Sequence, residues 1–208
     1  MQYLPLIGTV ALVHLLALIS PGPDFIMCVR NALTYSRKTG IYTAIGFGAG
    51  ISIHIIYCVA GLALIISQSI IIFNFFKFLG AGYLIYIGFK SITSKSSHLE
   101  IKDQEKKKDI SPFAAIKIGF LTNALNPKAT LFFLSLFTMV ISPNTPGLIL
   151  GILSAIMIIE TVIWFSLVSI FMTQKRIRSA FEKSQNVFNR TLGGLLILLG
   201  VKVALTNK

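Results

Sequence analysis

Ser20-Pro21-Gly22-Pro23-Asp24 stands between two apolar stretches, residues 4–19 and 25–29, and cannot carry one helix through both. Each proline lacks an N–H and clashes with the preceding turn. A second interruption, Asn126-Pro127-Lys128, divides the apolar stretch 113–141. Two broken hydrophobic segments at matching places in two halves of a chain are the sequence pointer to a transporter binding site. Pro21, Gly22, Pro23 and Pro127 are therefore the break residues around which the chain is organised.

The composition supports a membrane setting. Of 208 residues, 54% are hydrophobic and only 12% charged, with a mean hydropathy of +0.79. Ordinary soluble domains carry about 25% charged residues. Several runs reach the roughly 20 apolar residues that cross a bilayer. The net charge of +12 does not call for a nucleic-acid partner. In a membrane protein it reflects basic residues retained on the cytoplasmic side. Met1-Gln2-Tyr3 carries no basic region and no small-x-small site precedes Ser20, so the first segment does not read as a cleaved signal peptide. Cys28 and Cys58 are isolated and suggest neither a disulfide framework nor a redox pair.

In order, the chain reads as six spans. The first covers 4–19, breaks at Pro21 and continues as an amphipathic segment, 24–35. The second and third cover 41–66 and 71–89, separated by Ser67-Gln68-Ser69. Residues 90–111 are polar, without apolar period, and read as a solvated linker. Ser111-Pro112 is a helix start, a cap followed by proline in the first turn. The fourth span, 113–141, breaks at Pro127; the fifth covers 147–172. A basic loop, 175–190, leads to the sixth, 191–205.

The loops 24–40, 90–112 and 173–190 hold 3, 6 and 5 of the 19 Lys and Arg, whereas 1–3, 67–71 and 142–146 hold none. The positive-inside rule places the three basic loops in the cytoplasm. Six spans then put both termini outside, in the inner (cytoplasmic) membrane. The halves also repeat. Shifting 76–90 by 112 lays it on 188–202 with 6 identities in 15 positions, among them Gly82 on Gly194, Gly88 on Gly200 and Lys90 on Lys202. Three spans per half make the copies inverted, an arrangement suited to alternating access. The expected fold is all-α, with six transmembrane helices as two inverted three-helix repeats, 1–90 and 112–208, joined by a charged linker, 91–111.

These residues together resemble the LysE/RhtB family of amino-acid exporters. The resemblance rests on Pro21-Gly22-Pro23-Asp24, on Gly46, Gly50, His54 and Gly61-Leu62-Ala63, and on Lys77 with the run from Gly80 to Gly88. It also rests on Asn123, Asn126-Pro127-Lys128-Ala129, Phe132-Phe133, Gly193-Gly194 and Leu199-Gly200. It covers nearly the whole chain outside the linker. It implies a six-span exporter of amino acids or related small molecules that works without ATP and without a cofactor. Where similar proteins often carry Pro-Gln-Phe late in span 4, this chain has Thr138-Met139-Val140.

Glu160 lies at the middle of the fifth span, in Ile159-Glu160-Thr161. An acid there costs about 2.5 kcal/mol or more on insertion scales, so it should face a partner or a wet cavity. It is read as a proton carrier or an anchor for a substrate ammonium, against a protonated Glu hydrogen-bonded between helices. A shift of 104 places Pro23 on Pro127 and Asp24 on Lys128, each opening the half-helix after its break. Asp24 fits a helix N-terminus as a cap, or serves in proton coupling and ammonium binding; Lys128 does not fit, because the dipole disfavours a cation there. Either Asp24 or a substrate carboxylate should compensate Lys128. The expected substrate site is thus Asp24, Asn126, Lys128, Glu160 and His54. For Asn123 and Asn126 the alternative is to satisfy carbonyls freed by Pro127. For His14 and His54 it is an interhelical hydrogen bond.

Other functions fit parts of the chain. Efflux of a metal cation could use His14, Asp24, Cys28, His54 and Glu160, although no tight ligand spacing supports it. A membrane thiol oxidoreductase would need paired cysteines. No soluble catalytic or nucleotide-binding motif is present, so the chain reads as no enzyme. The partners are an amino acid and the bilayer, and the glycine-rich faces leave a homo-oligomer open.

Overall fold

The computed structural model describes residues 3–68, 70–93, 107–140 and 145–205, and every element among them is a helix. In order these are α1 (Leu4–Ile19), α2 (Pro23–Thr34), α3 (Arg37–Gln68), α4 (Ile70–Thr93), α5 (Pro112–Ala124), α6 (Pro127–Val140), α7 (Gly147–Phe171) and α8 (Lys175–Leu205). The centre of the expected linker, 94–106, and parts of the turns at 69 and 141–144 lie outside the described residues.

Both expected breaks are present, and local chemistry sets each. Pro21 pushes the residue before it out of the helical region, and Ser20 is extended at φ −65°, ψ 118°. The helix restarts with Gly22 as N-cap and Pro23 in the first turn. The Asp24 cap expected from the sequence is therefore corrected: Asp24 lies inside the first turn, and Gly22 holds the cap position without a side chain. At the second break Asn126 is the cap. Its Oδ1 accepts the Lys128 N–H at 3.0 Å, and its carbonyl accepts the Thr130 N–H at 3.0 Å. Ser111 caps α5 through the Ala114 N–H at 3.2 Å, as its sequence suggests.

The basic loop expected at 175–190 is instead the first half of α8. Residues 173–192 contain neither proline nor glycine, and Lys, Arg, Gln and Glu are good helix formers. Ile177, Phe181, Gln185, Asn189, Leu192 and Leu196 recur at helical spacing and form its inward face. That period was readable beneath the charges.

Among the described residues, Arg37–Gly61, Gly147–Phe171 and Lys183–Leu205 are long and apolar enough to cross a bilayer. The pair Leu4–Ile19 and Pro23–Thr34, bent by 58°, makes a fourth if taken as one span. Two cores form. One gathers Ile51, Ile55, Phe132, Phe133, Phe137, Leu153, Met157 and Leu196. The other gathers Phe25, Cys28, Val29, Ala44, Phe47, Phe165, Val168 and Met172. α3 and α7 each give one half to each core, so the cores lie on opposite sides of the level of the breaks.

Close approach of backbones assembles the helices. α3 and α5 run in the same direction, with Gly46 against Ile116 and Gly119, and Gly50 against Asn123. α4 and α8 run oppositely: Gly88 faces the Gly193 carbonyl and Ile197, and Gly200 faces the Ala81 carbonyl and Ile85. Small residues at such crossings bring dispersion contacts that a Cβ would prevent. On the basic side, Asp109 accepts from the Ser36 hydroxyl at 2.9 Å and the Thr39 hydroxyl at 3.2 Å. The Lys107 N–H reaches the Thr34 carbonyl at 2.8 Å, tying the end of the linker to the α2–α3 turn.

A Cβ at Gly46 would overlap the Ile116 carbonyl, whereas one at Gly82 meets nothing within 4 Å. Gly46→Val should therefore destabilise the protein by about 1–3 kcal/mol in thermal unfolding in detergent. Gly82→Ala should stay within about 0.5 kcal/mol of wild type. Equal behaviour of the two variants would remove close approach as the explanation.

Candidate functional site

Between the two cores the breaks enclose a cavity of about 50 Å³. His14, Asp24, Asn123, Asn126 and Lys128 supply its polar wall, and Ile51, Phe132, Phe133 and Phe165 its apolar wall. The two breaks are laced together. The Asn123 amide, at the end of α5, donates to Asp24 Oδ2 at 2.8 Å, at the start of α2. Lys128 Nζ, at the start of α6, donates to the Ser20 carbonyl at 2.9 Å, at the end of α1.

The Ser20 carbonyl answers the question that Lys128 raises. A cation at a helix start is disfavoured, but here it sits against the negative end of another helix. No ion pair joins Lys128 to Asp24 among the described residues. Lys128 crosses directly over Gly22, where a Cβ would lie 3.3 Å from Nζ. An ammonium has three donors, and the Ser20 carbonyl uses one of them.

Two buried acceptors beside the cavity, Asp24 Oδ1 and Asn123 Oδ1, have no hydrogen-bond partner among the described residues. Buried polar atoms are normally satisfied, so this pair is suited to an incoming donor. The cavity wall thus carries both unbonded acceptors and a cation.

The other expected site residues lie elsewhere. His54 does not line the cavity. Its Nε2–H donates to the Asn123 carbonyl at 2.9 Å, Tyr57 donates to Nδ1 at 2.7 Å, and its ring stacks on Phe133. His54, together with the Asn126 backbone N–H at 2.9 Å and not an asparagine side chain, therefore satisfies a carbonyl at the end of α5. Glu160 also stands outside the lining. It meets His14 Nδ1 at 2.9 Å, with side-chain exposures of 22% for Glu160 and 2% for His14. His14 does line the cavity and so connects it to the acid on α7.

Sequence reasoning missed His14 as a wall of the site, and the Ser20 carbonyl as the lysine's partner. The apolar face of α1 held a signal for the first, a lone imidazole. Nothing signalled the second, because a carbonyl belongs to every residue. Tyr83 and Tyr86 face another space. Both line a second cavity of about 410 Å³, with Lys90, Gln185, Asn189 and the prolines of both breaks. Ser20, Gly22, Asn126 and Lys128 line both cavities, so Lys128 stands where they meet.

Cys28 and Cys58 are free, buried and in different cores. Cys28 contacts Ser169 Oγ at 3.0 Å and the Phe165 carbonyl at 3.2 Å. Among the described residues no three of His, Cys, Asp and Glu gather to hold a metal ion.

A helical membrane protein with a charged cavity at paired helix breaks has the features of a transporter. The family model of the LysE type translocators matches residues 15–207, and the chain belongs to that family. It is a transporter and not an enzyme. Among similar proteins, an uncharacterized membrane protein of Bacillus subtilis (strain 168), YrhP, is 34% identical over 90% of this chain and 93% of its own. The threonine efflux protein of Escherichia coli (strain K12) is 26% identical over 95% of this chain and 97% of its own. That of Salmonella typhi is 26% identical over 98% and 99%. No solved structure matches the chain.

The His14–Glu160 contact should be measurable as a coupling. His14→Gln and Glu160→Gln should each lower thermal stability in detergent. The double variant should fall short of their sum by roughly 0.5–2 kcal/mol. Strict additivity would show that the contact contributes nothing.

Proposed function

We propose that the chain is a secondary exporter of amino acids in the cytoplasmic membrane, built as two inverted three-helix repeats, 1–90 and 112–208, about the linker 91–111. α1–α2, α3, α4, α5–α6, α7 and α8 are its six spans, with both termini outside and the basic segments 24–40, 90–112 and 173–190 in the cytoplasm. The contacts of α4 with α8 support the repeat. Gly88 meets Gly193 and Ile197, and Gly200 meets Ala81 and Ile85. At the offset of 112 these are the same positions exchanged between copies, as a twofold axis requires.

The observation that carries the reading is the central cavity, whose wall holds the unbonded Asp24 and Asn123 acceptors together with the Lys128 cation. An amino acid is a zwitterion of matching polarity. Its ammonium binds Asp24 and Asn123, and its carboxylate takes the remaining donors of Lys128. Asn126 shapes this end by capping α6. His54 supports the site from behind, through Asn123.

Glu160 serves proton coupling, by a path through His14 to the cavity wall. Asp24 is left to the substrate. In this orientation the second cavity lies on the cytoplasmic side, which is then the open one. α4 packs along α6, while the repeat-related pair, α8 and α2, meets at the stack of Phe25 on Phe181, centroids 5.2 Å apart. An exporter loads from that side.

The test is export of labelled amino acids from loaded cells, beginning with threonine, with a protonophore as a second arm. Wild type should expel at least one amino acid, and the protonophore should abolish it. Lys128→Ala and Asp24→Asn should lower transport at least tenfold, the effect of losing one charge-assisted hydrogen bond of about 1.5 kcal/mol or more. Glu160→Gln should uncouple export from the proton gradient. Inserted wild-type protein that expels no amino acid overturns the substrate class. Normal affinity in Lys128→Ala overturns the carboxylate assignment.

A further inference from the structure

The larger cavity has its own chemistry. Its wall carries two cations, Lys90 and Lys128, and no carboxylate. Lys90 Nζ is held 6.0 Å from the centre of the Tyr86 ring, over its face. In the same wall, on α8, Gln185 is only 4% exposed, and its Oε1 has no hydrogen-bond partner among the described residues. A buried amide oxygen without a donor is uncommon. It lies on the inward face of α8, between Phe181 and Asn189, in a stretch whose other face carries exposed charges.

We infer that this vestibule is a second, cytoplasm-facing substrate site, which holds a zwitterionic amino acid with its carboxylate at Lys90 and its ammonium at Gln185. The inference rests on the amino-acid transport reading and adds a loading step to it. The substrate settles first in the roomier cavity. Its carboxylate then passes from Lys90 to Lys128, the residue at the neck between the two cavities. A field made by two cations and no acid draws anions in from solution and raises their local concentration. The vestibule therefore requires the carboxylate and turns away the corresponding amine, which has the same side chain and no carboxylate.

Everted membrane vesicles expose the cytoplasmic face and report loading directly. Uptake of a labelled amino acid that wild type carries is measured over a range of concentrations, normalised to inserted protein. Lys90→Gln should raise the half-saturation concentration about tenfold, the effect of losing a charge-assisted hydrogen bond, with the maximal rate unchanged. Lys90→Arg should restore most of the affinity. Gln185→Leu should raise half-saturation severalfold, and Gln185→Glu should raise it further for substrates bearing a second carboxylate. Lys117→Gln, at an exposed cytoplasmic lysine outside the vestibule, should change nothing. The decarboxylated amine should compete poorly with wild-type uptake, and relatively better in Lys90→Gln.

Wild-type half-saturation in both Lys90→Gln and Gln185→Leu, in vesicles that do transport, overturns the vestibule site and leaves the central site standing. A fall in maximal rate with half-saturation unchanged assigns these residues to structure and overturns the inference as well. Wild-type vesicles that carry no amino acid overturn both readings together.

Discussion

A helix interrupted inside an apolar environment leaves N–H and C=O groups that lipid cannot satisfy. This chain has two such interruptions and ties them together with side chains. Lys128 of the second break takes the Ser20 carbonyl of the first, and Asp24 of the first takes the Asn123 amide of the second. Asn126 and His54 complete the set, on the Lys128 N–H and the Asn123 carbonyl. The first break thus leans on Lys128 of the second, while the second is satisfied by its own Asn126 and by His54 of α3. The crossing therefore fixes α1–α2 against α5–α6, and the remaining helices are arranged around that knot.

The packing follows from it. With four half-helices meeting at one level, apolar side chains can gather only on either side of that level, which yields two cores and a polar space between them. α3 passes both cores and comes within backbone contact of α5 because Gly46, Gly50 and Gly119 lack a Cβ. On the far side, α4 and α8 close on each other through Gly88, Gly193 and Gly200. Dispersion between closely approaching backbones is the main attraction available to helices in lipid.

The two intramembrane acids differ in their surroundings, and the difference separates their uses. Asp24 keeps one oxygen bonded to Asn123 and one without a partner at the cavity. Glu160 is engaged by His14 and does not reach the cavity itself. In the proposed cycle this leaves one carboxylate to bind and the other to exchange a proton, joined through His14 and the cavity wall. Sequence alone had credited both acids with both roles.

The membrane class, the two breaks, the Ser111 cap and the residue types of the site were all legible in the chain. Hydropathy, proline's missing N–H and the intolerance of lipid for charge are local properties, and they leave local marks. The period of Ile177, Phe181 and Gln185 was also there to be read, but surrounding charge made it look like a loop. What only the tertiary structure decided was who meets whom. Lys128 finds a backbone carbonyl, Glu160 finds His14 across 146 residues, and His54 turns to Asn123. Such pairings depend on where the half-helices cross, and a carbonyl partner carries no side-chain signature in a sequence.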